Sequence, residues 1–228
     1  MTRLILLHGY TENATIFAPL LPLLPPFDHV LALELEDEFA HWRPAGPANV
    51  VSLARYLAAR YGVGPADVLL GHSMGGWLAA HLKEQTGATA ILLSSFTDQA
   101  KVVSKIRNPR LLALYAHLGL VQNRWLNDYF RRRYPHEESR ALHGQLVAGM
   151  GRLGRRYLAQ QLGVLFAPVP PLTTQPELRL HALGDTVVRP PDEPFGELPG
   201  DHFAHYFYPE RAAAAIRALL AGTRPVPA

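Results

Sequence analysis

Ser73 stands at the centre of Gly71-His72-Ser73-Met74-Gly75, where the apolar run from Val68 turns abruptly into a helical pattern. A serine hydroxyl is a poor nucleophile near neutral pH. It attacks carbonyl carbon when an imidazole takes its proton and a buried carboxylate fixes that imidazole's tautomer. Both partner types occur late in the chain. Asp185 follows the apolar stretch Leu178–Leu183, and Asp98 follows Ala90–Ser94. Carboxyl ends of parallel strands are where open α/β sheets place their sites, which favours Asp185. Asp98 reads as a helix N-cap or turn residue. His202 and His205 share the segment GDHFAH, with Asp201 as a turn residue beside them. The chemistry this set could perform is acyl transfer through a serine ester.

The elements that must position these groups follow from apolar periodicity. Gly71 and Gly75 flank a turn that holds the serine in a strained backbone conformation, where side chains would collide with the neighbouring strand and helix. Strands are predicted at Arg3–Leu7, His29–Leu35, Asp67–Leu70, Ala90–Ser94, Leu178–Leu183 and, briefly, Phe195–Leu198. Helices are predicted at Thr15–Leu24 despite Pro19 and Pro22, at Val50–Tyr61 ending near Gly62, at Gly75–Thr86, and at Glu210–Leu220 before a Pro-rich tail. Alternation of this kind implies an α/β fold: a mainly parallel sheet of about six strands with helices on both faces.

Between 97 and 168 the alternation stops. Segments such as LLALYAHLGL and RWLNDYFRRRY are helical in character, and a structureless loop of that length is improbable. This stretch is predicted to be a helical cap inserted in a core made of 1–96 and 169–228. Its charge is lopsided: residues 100–165 hold twelve Lys or Arg against three acids, a net +9, which leaves −6 for the rest within a total of +3. Such a lid would draw anionic substrates or an acidic partner toward the entrance. The plainer reading is a set of solvated helix faces.

A strand ending in His8-Gly9, a strand leading into the Ser73 elbow, a strand leading to Asp185, and a late histidine occur in the order Ser, Asp, His. In this the chain resembles the α/β-hydrolases, of the small serine esterase or thioesterase type with a helical cap. The resemblance implies that Ser73 is the nucleophile and Asp185 the acid, although some members place their acid where Asp98 stands. It favours His202 over His205 as the base, because G-x-H followed by an aromatic matches Gly200-Asp201-His202-Phe203. It implies an oxyanion hole from the backbone N–H groups of Met74 and Tyr10, a bracing role for His8, and a cap that folds over the site and shapes the acyl pocket. Two departures stand out. The first predicted strand is the one ending in His8-Gly9, so the family's two leading antiparallel strands are not expected. Only seventeen positions separate Asp185 from His202, and Arg189-Pro190-Pro191-Asp192-Glu193-Pro194 cannot form the helix usual there.

Composition narrows the classes. At 228 residues, 48% hydrophobic and 18% charged, the chain can bury one substantial α/β core. No apolar run approaches the roughly 20 residues that span a bilayer, and Met1-Thr2-Arg3 leads into the first strand without a signal pattern, so a soluble cytoplasmic protein is expected. The absence of cysteine removes disulfides and thiolate chemistry. The eleven histidines are scattered without metal-ligand spacing, and no G-x-G-x-x-G follows a strand, so neither metal nor cofactor is expected. Serine at the elbow sets aside the family's dehalogenases, epoxide hydrolases and dienelactone hydrolases. The expected activity is hydrolysis of esters or thioesters through an acyl-enzyme. An acidic acyl carrier, such as an acyl-carrier protein or coenzyme A, is the partner the basic cap suggests; nucleic acid is not expected. The alternatives are the same triad acting on another bond (carbon–carbon hydrolysis, perhydrolysis or a lyase reaction) and a small-molecule receptor that scarcely turns over.

Overall fold

Six parallel strands form one sheet in the order β2-β1-β3-β4-β5-β6. They are β1 (Arg3–Leu7), β2 (His29–Leu33), β3 (Val68–His72), β4 (Thr89–Leu93), β5 (Leu178–His181) and β6 (Gly196–Glu197). The helices, in chain order, are α1 (Leu35–His41), α2 (Val50–Tyr61), α3 (Met74–Thr86), α4 (Pro109–His117), α5 (Arg124–Arg131), α6 (Glu137–Met150), α7 (Arg155–Phe166), α8 (Ala204–Phe207) and α9 (Pro209–Leu220). This computed structural model describes residues 2–222, and the predicted Pro-rich tail lies outside them.

The central strands β1, β3, β4 and β5 are buried on both faces because apolar residues fill most of their successive positions, whereas the edge strand β2 is largely exposed. Successive side chains point to opposite sides. Leu4 and Leu6 of β1 join Leu70, Ile91 and Leu93 against Ala212, Ala213 and Ile216 of α9. Ile5 and Leu7 join Leu69 and Leu92 against Leu53 and Leu57 of α2 and Leu78 and Leu82 of α3. Each such leucine contributes about 1.5–3 kcal/mol when fully buried. The ends of α2 are fixed locally. Asn49 and Ser52 form a reciprocal capping box at its start, and Gly62 ends it at φ 55°. Arg3 then donates to the Tyr61 and Gly62 carbonyls while gripping Asp67 through two bonds of 2.8 and 2.6 Å.

Several predicted elements differ. The helix expected at Thr15–Leu24 is a pair of 3-10 turns, Ala14–Phe17 and Leu21–Leu23, because Pro19 and Pro22 each withhold the N–H that a longer helix needs. The strand expected to reach Leu35 stops at Leu33. Leu35 instead opens α1, whose first turn carries Glu36, Asp37 and Glu38, as suits a helix N-terminus. The strand expected at Leu178–Leu183 ends at His181, and the one at Phe195–Leu198 shortens to two residues. The segment after Asp185 forms no helix before β6, as its prolines require.

The stretch between β4 and β5 is helical. There α4 packs on α7 around Leu112, Ala116, Leu158, Ala159 and Leu162, a small core separate from the two that line the sheet. Trp77 of α3 ties α7 to the body by donating from Nε1 to the Val164 carbonyl at 3.2 Å. Among the described residues no helix is long and apolar enough to cross a membrane.

Candidate active site

Strand order reverses between β1 and β3, and in open α/β sheets ligands bind at the carboxyl ends of strands beside such a reversal. Ser73 sits there, between β3 and α3, at φ 52° and ψ −119°. Its N–H donates to the Leu93 carbonyl at 3.0 Å, and its own carbonyl accepts from Ser95 Oγ at 2.6 Å and from the Gly76 and Trp77 N–H groups. A Cβ on Gly71 would strike the Gly75 carbonyl, and one on Gly75 would strike the Leu7 carbonyl, so both glycines are required by close backbone approach. Among the described residues the other two non-glycine residues at positive φ are Thr11 at 60° and Ser94 at 43°, which follow β1 and β4. Strain therefore gathers at the carboxyl end of the sheet, where the surrounding packing over-determines it.

Asp185 follows β5 and is buried. Its Oδ1 accepts from the N–H groups of Val187 and Val188 at 2.8 and 2.9 Å, and its Oδ2 faces His202 Nδ1 at 2.8 Å and His181 Nε2 at 3.3 Å. Burial pushes the carboxyl up, but the charge of His202 and the hydrogen bonds from His181 and His202 outweigh it and hold Asp185 well below the usual carboxylate range. An ionised carboxylate only accepts, so Nδ1 of His202 carries hydrogen and Nε2 is the nitrogen free to take a proton. Among the described residues no hydrogen bond joins Ser73 Oγ to His202, a bond that in serine hydrolases tightens as substrate is engaged.

The structure brings His202, and not His205, to Asp185. The His205 ring is buried 4.3 Å from that of His72 and 6.1 Å from that of Phe17. Burial, with His72 and His202 nearby, drives it well below an ordinary imidazole. Asp98 lies in the exposed turn after β4, where it caps Gln99–Lys101 by accepting from the Ala100 N–H at 2.8 Å. Asp201 does more than turn the chain: its Oδ1 accepts from Ser139 Oγ of α6 at 2.7 Å and from the Phe203 N–H at 3.2 Å.

The N–H of Met74 heads α3, and that of Tyr10 lies in the loop after β1. Among the described residues neither donates to a protein group, so both are available to an oxyanion. His8 braces this loop. Its Nδ1 donates to the Gly9 carbonyl at 2.9 Å and its Nε2 accepts from the Leu35 N–H at 3.1 Å.

Three site residues escaped the sequence reading: Glu12, His72 and His181. Glu12 Oε2 accepts from the Gly9 N–H at 2.7 Å and faces His72 Nδ1 at 2.9 Å, while His72 Nε2 faces the His202 carbonyl at 3.0 Å. Both His72 nitrogens thus meet acceptors, so the ring is an imidazolium. Burial alone would lower it, but the Glu12 charge and hydrogen bond raise it. Burial likewise pushes Glu12 up, and the charge and hydrogen bond of His72 hold it below its ordinary value. The one sequence signal was position: a histidine directly before the elbow serine and a carboxylate three residues past His8-Gly9.

A cavity of about 480 Å³ opens beside these groups, between the loop after β1 and α6. Thr11, Glu12, Leu142, Gln145 and Tyr157 line it, and neither Ser73 nor His202 does. Among the described residues no cluster of His, Asp and Glu could hold a metal ion.

The profile of the alpha/beta hydrolase family matches residues 4–221, and the chain belongs to that family. Solved structures agree on the fold. A thermophilic esterase from Thermogutta terrifontis is 20% identical, with a TM-score of 0.65 over 99% of this chain and 91% of that one. A hydrolase from Pseudomonas aeruginosa is 15% identical, with a TM-score of 0.69 over 96% and 89%. A bromoperoxidase from Bacillus anthracis is 13% identical, with a TM-score of 0.61 over 96% and 92%. No curated protein matches the sequence.

Proposed function

We propose that the chain is a serine hydrolase that cleaves carboxylic esters or thioesters through an acyl-enzyme on Ser73. The observation that carries this reading is the 2.8 Å contact of His202 Nδ1 with Asp185 at the carboxyl end of the sheet, where Ser73 is held at positive φ. In the first half-reaction Ser73 Oγ adds to the carbonyl carbon as His202 Nε2 takes its proton. Asp185 stabilises the imidazolium that forms. The oxyanion meets the N–H groups of Met74 and Tyr10, the former also at the positive end of the α3 dipole. Collapse expels the alcohol or thiol, protonated by His202. Water then repeats the sequence against the acyl-enzyme, with His202 again the base, and the carboxylic acid leaves.

The test is turnover of p-nitrophenyl esters and acyl thioesters of increasing chain length by the wild type and Ser73→Ala. The reading predicts hydrolysis that disappears in the variant, with a chain-length optimum that reports the size of the acyl pocket. Equal turnover by the two proteins would contradict it.

A further inference from the structure

The helices between β4 and β5 carry most of the large apolar side chains that the fold leaves in water. On α4, Leu112 and Ala116 are buried toward α7, while Leu111, Leu114 and Leu118 form an exposed stripe at i, i+3 and i+7. On α5 no residue is buried; Trp125 is 87% exposed, with Leu126, Tyr129 and Phe130 exposed around it. The turn Leu120–Gln122 touches both helices and adds the exposed Leu120, so these side chains gather on neighbouring elements, and exposed apolar clusters of this kind mark interaction sites.

Charge says what covers it. No Asp or Glu occurs between Asp98 and Asp128, whereas Arg110 and Arg124 lie exposed beside the leucines and Trp125. Asp128 is itself paired with Arg131 at 2.9 Å and Arg132 at 3.8 Å. The surface is apolar with a cationic rim. A second copy packed on the same face would bring these arginines against each other. An acidic protein satisfies both the arginines and the leucine stripe only if it also brings an apolar surface shaped to this face. A lipid layer with anionic headgroups satisfies both, because aromatic and aliphatic side chains enter the interface while arginines stay at headgroup level.

We propose that the α4–α5 face docks on an anionic lipid surface. The segment that leaves α5 is tied to the candidate site. Just past α5, Arg133 donates from Nη2 to the Thr186 carbonyl at 2.8 Å and accepts from Thr186 Oγ1 at 3.0 Å. The next ring, Tyr134, stacks on Phe203 at 5.3 Å and 13°. Thr186 adjoins Asp185, and Phe203 adjoins His202. Docking would present the site to amphiphilic esters held in the layer; that consequence rests on the hydrolase reading, whereas the docking does not.

The experiment uses the Ser73→Ala chain, so that turnover cannot alter the lipid, with vesicles of phosphatidylcholine alone or mixed with phosphatidylglycerol. Trp42 and Trp77 are buried, so a shift in tryptophan emission reports Trp125. The proposal predicts co-sedimentation with the mixed vesicles, a blue shift on binding, weakening by salt, and at least about a tenfold loss of affinity in Trp125→Ser and in Arg110→Glu/Arg124→Glu. Absence of binding to the mixed vesicles by a folded chain overturns it. So does binding that ignores these substitutions, a dimer in light scattering that the Trp125 change dissolves, or capture of acyl-carrier protein without vesicle binding. None of these failures touches the role of Ser73, and loss of that role would leave vesicle binding intact.

Discussion

His72 Nδ1 lies 2.9 Å from the buried Glu12 carboxylate, and its other nitrogen lies 3.0 Å from the carbonyl oxygen of His202. Glu12 also accepts from the Gly9 N–H, one residue before Tyr10. A single buried ion pair therefore ties the loop bearing one candidate oxyanion donor to the backbone of the candidate base. Removing one partner of such a pair leaves a buried charge unpaired, which costs about 3–5 kcal/mol of stability.

Glu12→Ala is accordingly predicted to lose roughly tenfold to a hundredfold in kcat/KM, the rate equivalent of about 1.5–3 kcal/mol, along with stability to urea. Glu12→Gln should recover only part of both. The Gly9 N–H and His72 Nδ1 meet the same atom, Oε2, so an amide oxygen there keeps those two bonds but leaves a neutral His72 without the hydrogen that Nε2 directs at the His202 carbonyl. Steady-state kinetics beside urea unfolding checks this; full activity and native stability in Glu12→Ala would remove the coupling.

Asp185→Asn is predicted to keep the fold and to drop kcat on the order of 10³–10⁴-fold, because an amide no longer enforces the Nδ1–H tautomer of His202. The two histidines should separate cleanly. His202→Ala abolishes turnover, while His205→Leu, in a buried site without a carboxylate, should stay within about threefold of wild-type kcat/KM. A collapse of kcat in a folded His205→Leu protein would reverse the assignment.

Legibility in the sequence followed periodicity. Apolar runs announced β1 to β5, while Phe195–Leu198 is legible from its place before the late histidine, and glycine spacing announced the elbow, because strand burial and close backbone approach are local demands. The Glu12–His72 pair joins residues sixty positions apart, and neither residue sits in a repeating pattern that would reveal it. His181 reads as one more position of an apolar strand, yet its ring faces Asp185. Leu35 continued the alternation of β2 on paper, and the acids that follow it decided for helix. The exposed leucines of α4 read like core, since sequence does not say which side of a helix meets a neighbour.

Acid should destabilise the protein before its carboxylates titrate. Burial depresses His81 to about 4, and it depresses His143 to about 4 with help from the charges of His202 and Arg131. In the unfolded chain both take up protons near pH 6.5. Between those values the unfolded state binds more protons, so stability present above about pH 6.5 is lost as pH falls toward 4. His72, raised by Glu12, acts in the opposite sense: its contribution is full below about 6.5 and fades as pH rises through its folded value. Asp185 and Glu12, both depressed, give up theirs only below about pH 4. Urea unfolding at pH 7.5 and 5 should show the wild type losing stability, and His81→Leu losing less of it by on the order of 2 kcal/mol. Identical losses in the two proteins would assign the acid sensitivity elsewhere.

The central claim is that Ser73 carries the acyl group. Mass spectrometry after treatment with a fluorophosphonate, and after rapid acid quench during turnover of a p-nitrophenyl ester, reads this directly. A phosphonyl adduct and a transient acyl adduct are expected on the peptide containing Ser73, both absent from Ser73→Ala and His202→Ala. Turnover with Ser73 unmodified, or an adduct on another residue that supports full activity in Ser73→Ala, would contradict the claim.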